Sequence, residues 1–127
     1  RVEELDWAKF LPGVFVIRVF HMTPDEEKNA PTLHDALRPG YHHIILLDTA
    51  TQGGQDGGSG VSFNWSHVSN IPVPFLIAGG LTPDNVQEAL TQSLAAGVDT
   101  SSGVETEGQK DTAKITAYVE NARRVLS

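Results

Sequence analysis

Four short segments of this 127-residue chain carry residue types that do chemistry. Asp48 closes the apolar run Ile44-Ile45-Leu46-Leu47. A carboxylate at the tip of an apolar strand has two readings. It caps the turn that follows, or, where apolar neighbours partly bury it and raise its pKa, it serves as a general acid. Residues 51–60 (TQGGQDGGSG) follow, with five glycines in ten positions. This stretch reads either as a flexible linker or as a loop over a ligand. It lacks the Gly-Lys-Ser/Thr ending of a P-loop and the dinucleotide spacing. Its departure from the carboxyl end of a buried strand favours the ligand reading, because βα loops assemble sites at that end.

The other two segments are Gly79-Gly80, which precedes a candidate helix, and Ser101-Ser102-Gly103. Glycine lets a backbone approach a ligand closely, and a helix amino terminus offers N–H groups with partial positive charge, so both suit a phosphate. Tight βα turns also use Gly and Ser for geometry alone. Two such loops after consecutive strands weigh more than one, since barrel phosphate sites are often built from the last two βα loops. The five histidines match no metal-ligand spacing and read as structural or surface residues. Trp7 and Trp65 read as packing anchors. Arg18, inside a strand candidate, needs a partner: either a polar barrel interior or an ion pair with a neighbouring strand.

The elements that must position these residues alternate short apolar runs with amphipathic stretches, the pattern of βα units in a parallel sheet. Strands are expected at residues 14–20, 44–47, 75–78 and about 98–101. A helical stretch follows the first around residues 32–37 and ends at Pro39-Gly40. Thr82 is placed to cap a helix with Pro83 at its first position and Val86, Ala89, Leu90 and Leu94 on its buried face. Asp111 is placed to cap a last helix with Ile115, Val119, Ala122 and Leu126 buried. A further amphipathic stretch spans residues 2–10. The expectation is one α/β domain over residues 1–127, about four parallel βα units preceded by a helix.

A net charge of -7 with only nine Lys and Arg argues against a nucleic-acid or anionic-membrane surface. No signal-peptide core and no transmembrane-length apolar run is present, so a cytoplasmic protein is expected. With no cysteine there is no disulfide, thiolate metal site or cysteine base.

Three blocks carry a resemblance. Leu47-Asp48 with residues 57–65 (GGSGVSFNW), residues 76–86 (LIAGGLTPDNV) and residues 98–105 (VDTSSGVE), backed by Gly108, Lys110 and Asp111, resemble phosphoribosylanthranilate isomerases in order and spacing. The resemblance runs from about Val14 to the end and implies the carboxy-terminal part of a TIM (β/α)8 barrel. It implies an Amadori rearrangement of a phosphosugar in tryptophan biosynthesis, without metal or organic cofactor. Asp48 matches the family's general acid. Gly58, Ser59 and Gly60 match the loop that closes over the substrate, and Gly79, Gly80, Ser101, Ser102 and Gly103 match the phosphate loops. The family's base is a cysteine in a Lys-x-Cys-Gly motif on the first barrel strand, which this chain lacks. Val61 and Asn64 stand where a basic residue and an aspartate are common.

The resemblance therefore implies a fragment that is inactive alone, and that pairs with an amino-terminal half of the barrel or with copies of itself. The alternative is a non-catalytic half-barrel that binds phosphate or self-assembles. An indole-glycerol-phosphate synthase barrel fits the three blocks less well.

Overall fold

The computed structural model describes residues 12–38, 40, 42–50 and 63–126. The amphipathic stretch at residues 2–10, Trp7, Pro39 and the glycine-rich loop with Gly58, Ser59 and Gly60 lie outside the described residues.

Four parallel strands form one sheet in sequence order: β1 (Ile17–His21), β2 (Ile44–Asp48), β3 (Phe75–Ala78) and β4 (Gly97–Asp99). The third matches its apolar run residue for residue, whereas β1 starts three residues later than expected and β4 ends two earlier. Helices α1 (Glu26–Ala36), α2 (Val86–Ser93) and α3 (Thr112–Leu126) connect or follow them. Single 3-10 turns lie at Trp65–Val68 and Ser102–Val104. A two-stranded hairpin, β5 (Glu105–Thr106) with β6 (Gln109–Lys110), was not legible in the sequence. Glu107 and Gly108 both take positive φ at its tip, as a tight hairpin turn needs.

Period-two alternation gives the sheet two faces. Ile45, Leu47, Phe75 and Ile77 are buried and share a core with Ala36, Val86, Ala89, Leu90, Tyr118 and Ala122 of the helices. The opposite face carries Ile17, Val19 and His21 of β1, paired in register with Ile44, Leu46 and Asp48. This inner face is open: Ile17 is 50% and Val19 48% exposed. Arg18 pairs with Ile45 and so lies on the helix side, where its charge acts on His42. It does not point into the inner face. Trp65 packs against the core, in line with an anchor.

Helix α1 begins earlier than expected because Asp25 caps it, its carboxylate accepting from Glu27 N at 3.0 Å, with Glu26 and Glu27 in the first turn. Pro31 sits inside the helix, at the cost of one backbone bond. Buried Asn29 ties the helix to the end of β1, accepting from Thr23 N at 2.8 Å and donating to Thr23 O at 2.7 Å.

Two expected helix faces need correction. Leu94 is 67% exposed, because α2 stops at Ser93 and Leu94 takes the left-handed conformation that closes it. In α3 the buried residues are Tyr118 and Ala122, whereas Ile115, Val119 and Leu126 are 38%, 39% and 46% exposed. Asp111 caps this helix as expected, accepting from Ala113 N at 2.9 Å. Two polar contacts are made in this rotation: Asn121 donates to Pro83 O at 2.9 Å, and Lys114 Nζ donates to Glu105 O at 2.8 Å.

The Tyr118 hydroxyl is buried without a hydrogen-bond partner. Burial, reinforced by the Asp99 carboxylate, pushes the phenol up to about 12. A folded-state value above the unfolded one means stability intact below about pH 10 and lost as pH rises toward 12. Tyr118→Phe is therefore expected to be neutral or up to about 1 kcal/mol stabilising at pH 7, since it removes an unpaired buried donor. It should also lose less stability than the parent between pH 9 and about pH 11, read by urea denaturation. Equal losses in both proteins would contradict this.

Candidate active site

The register lines up Asp48, Ala78 and Asp99 at the carboxyl ends of β2, β3 and β4. The loops after these three strands thus leave from one end of the sheet, and they are bonded to each other. The Thr49 hydroxyl, almost fully buried, donates to Ala78 O at 3.0 Å and lies 3.4 Å from Gly79 O. Thr100 Oγ1 donates to Leu81 O at 2.7 Å.

Asp48 is about one-quarter exposed at its side chain. Its Oδ1 accepts from Ala50 N at 3.0 Å, so the turn-capping reading holds for that oxygen. Oδ2 lies 3.4 Å from His21 Nδ1, an ion-pair distance longer than a good hydrogen bond. Capping with one oxygen leaves the second for acid chemistry, so the two readings of Asp48 are compatible.

Gly79 and Gly80 take φ of +102° and +67°, a region that other residues rarely adopt. A Cβ on Gly79 would overlap the Ala50 and Thr49 backbone nitrogens and reach Asp48 Oδ1. Gly79 therefore makes room for the Asp48 carboxylate as well as shaping its own loop. Asn85 braces that loop, donating to Gly80 O at 2.9 Å and accepting from Thr82 N at 2.7 Å. Thr82 does not cap α2 directly. Its hydroxyl accepts from Asp84 N at 3.2 Å in the turn before the helix.

Ser101 leads into the 3-10 turn Ser102–Val104. A Cβ on Gly103 would overlap the Leu81 carbonyl oxygen, so this glycine lets the two loops touch. Lys110, from the hairpin, pins the turn: Nζ donates to Ser101 O at 2.9 Å and Ser101 Oγ at 3.0 Å, and pairs with Glu105 Oε2 at 2.6 Å. Asn64, after the glycine-rich loop, caps the 3-10 turn at Trp65–Val68 by accepting from Ser66 N at 3.1 Å.

The structure thus brings together Asp48, Gly79, Gly80, Ser101, Ser102 and Gly103 at one end. The sequence carries no local signal for the place of His21 beside Asp48, or for the bracing contacts of Thr49, Thr100 and Lys110. Alternation from Ile17 and Val19 puts His21 on the inner face, but only the strand register sets it beside Asp48. At the other end of the sheet a cavity of about 470 Å³ is lined by Phe15, Leu37, His42, His43 and Val73, among others. There His42 Nε2 faces Ala36 O at 2.8 Å, and burial holds this imidazole below its usual pKa. Among the described residues no group of three or more His, Asp or Glu gathers to hold a metal. None of the described helices is long and apolar enough to cross a membrane.

Parallel strands with helices on one face and grouped loops at their carboxyl ends define an α/β protein of the barrel type. The family model for N-(5'phosphoribosyl)anthranilate (PRA) isomerase matches residues 1–121, and the chain belongs to that family. It is 43% identical over 117 residues to a multifunctional tryptophan biosynthesis protein of Schizosaccharomyces pombe, covering 92% of this chain and 14% of that protein. The solved N-(5'-phosphoribosyl)anthranilate isomerase of Pyrococcus furiosus superposes with a TM-score of 0.70 at 30% identity, over 95% of this chain and 56% of that one. A solved phosphoribosyl anthranilate isomerase in complex with reduced 1-(o-carboxyphenylamino)-1-deoxyribulose 5-phosphate gives a TM-score of 0.65 at 28% identity, covering 91% and 52%. The chain spans about half the length of most of the curated isomerases that it matches.

Proposed function

We propose that this chain is the carboxy-terminal portion of a phosphoribosylanthranilate isomerase barrel, carrying the general acid and the phosphate loops. The observation that carries this reading is the grouping of Asp48 with both candidate loops at one end of the sheet, bonded through Thr49 and Thr100. The substrate is then a phosphoribosylated anthranilate, in keeping with the bound molecule of the related complex. Asp48 protonates the ribose ring oxygen as the ring opens, and a base removes the C2′ proton from the resulting Schiff base. The two transfers cancel, so no cofactor is consumed. Gly79-Gly80 and Ser101-Ser102-Gly103 hold the phosphate, and Gly58-Ser59-Gly60 closes over the sugar.

The family's cysteine base is not among these 127 residues, which contain no cysteine. In this reading the base and the rest of the pocket come from an amino-terminal half. Two open apolar surfaces support that: Ile17 and Val19 on the inner face, and Ile115, Val119 and Leu126 on α3. The same surfaces favour a second reading, a half-barrel that associates with itself.

The phosphate part is tested on the chain itself. Titration with inorganic phosphate should move the amide resonances of Gly80, Ser102 and Gly103 and leave that of Ile44, at the far end of β2, in place. Uniform or absent movement would contradict it.

A further inference from the structure

His21 ends β1 directly opposite Asp48, and the parallel ladder continues one residue further through Met22 N donating to Asp48 O at 2.8 Å. The two side chains therefore stand side by side on the inner face. The Asp48 carboxyl has unlike oxygens. Oδ1 is bonded to Ala50 N and closely packed on Gly79, where even a methyl group would lie 2.7 Å away. Among the described residues, Oδ2 is approached by the His21 imidazole, with Nδ1 at 3.4 Å. A carboxyl acting as an acid must carry its proton on an oxygen that reaches the substrate. With Oδ1 enclosed, that oxygen is Oδ2, the one beside the imidazole. With its proton on Nδ1, the imidazole donates to a lone pair of Oδ2 both before and after transfer, which leaves the proton that Oδ2 carries free for the substrate.

We propose that His21 is a positioning residue for the isomerase step, holding the Asp48 carboxyl by Oδ2 in the rotamer that directs its proton across the inner face. The proposal rests on the reading of Asp48 as the general acid. Its energetic weight depends on cover. The His21 side chain is 68% exposed here, where water weakens the pair, and an element closing the inner face strengthens it.

Two measurements test it. In the chain itself, Asp48→Asn should shift the His21 Nδ1 nitrogen resonance and leave that of His34 unchanged; an unmoved His21 resonance overturns the contact. In the chain paired with the family's amino-terminal half, His21→Ala should lower kcat about tenfold, roughly 1.4 kcal/mol, with KM unchanged. His21→Asn, which keeps a polar group able to donate or accept, should recover most of that loss. An undiminished kcat in His21→Ala, or a loss confined to KM, overturns the positioning role. Absence of turnover with His21 in place overturns the isomerase reading instead, and the resonance measurement still decides whether the two side chains meet.

Discussion

Asp48→Asn, measured in the chain paired with an amino-terminal half of the family, is expected to lower kcat about 10³-fold, within the range typical of a lost general acid. KM should stay close to that of the parent, because the carboxyl acts in the transition state while the phosphate loops provide ground-state binding. The fold should survive, since an asparagine side-chain oxygen can still accept from Ala50 N as Oδ1 does now. Fluorescence of phosphoribosylanthranilate reports the rate, and thermal unfolding reports the fold. Full activity in Asp48→Asn would remove Asp48 from the mechanism, leaving it as a turn cap.

Gly103→Ala has the largest expected effect on stability. The added Cβ would overlap the Leu81 carbonyl oxygen and lie 2.6 Å from Thr100 Oγ1, which itself donates to Leu81 O. Backbone on one side and a bonded hydroxyl on the other leave no flexible neighbour to give way. Overpacking of this kind costs about 3 kcal/mol, the upper end of the usual range. For a chain of this size that is a fall of roughly 10 °C in Tm. Because the clash lies between the two candidate phosphate loops, phosphate affinity should fall with it. Gly108→Ala is the control: a Cβ there meets nothing within 4 Å, although its φ of +78° leaves a backbone penalty of about 1 kcal/mol. Equal stability of Gly103→Ala and the parent would contradict the contact between the loops.

The strands were legible because a parallel strand buried in a core must be continuously apolar, and Phe75-Leu76-Ile77-Ala78 is bounded by Pro74 and Gly79. Helix α1 was half hidden. Pro31 reads as a boundary, whereas the buried Asn29 and the Asp25 cap that hold its first turns act through contacts with Thr23 and the backbone. The face of α3 was misassigned for a similar reason. Ile115, Val119, Ala122 and Leu126 form an apolar stripe at helical spacing, but only Ala122 of these is buried, beside Tyr118, in the rotation that the contacts of Lys114 and Asn121 hold.

In the site, Asp48 and the glycine and serine loops stand out by residue type and by their place after apolar runs. His21 does not. A lone histidine at a strand end has no local signature, and its neighbour Asp48 is 27 residues away, so only the β1–β2 register reveals the pair. The steric demands on Gly79 and Gly103 are equally non-local, since both glycines yield space to other loops.

Whether this chain supplies half of an isomerase is decided by turnover, measured for the chain alone and for the chain mixed with an amino-terminal half that carries the family's cysteine. No turnover is expected from either piece alone, and turnover is expected from the pair. Turnover by this chain unaided, or a correctly assembled pair that leaves phosphoribosylanthranilate unchanged, would contradict it.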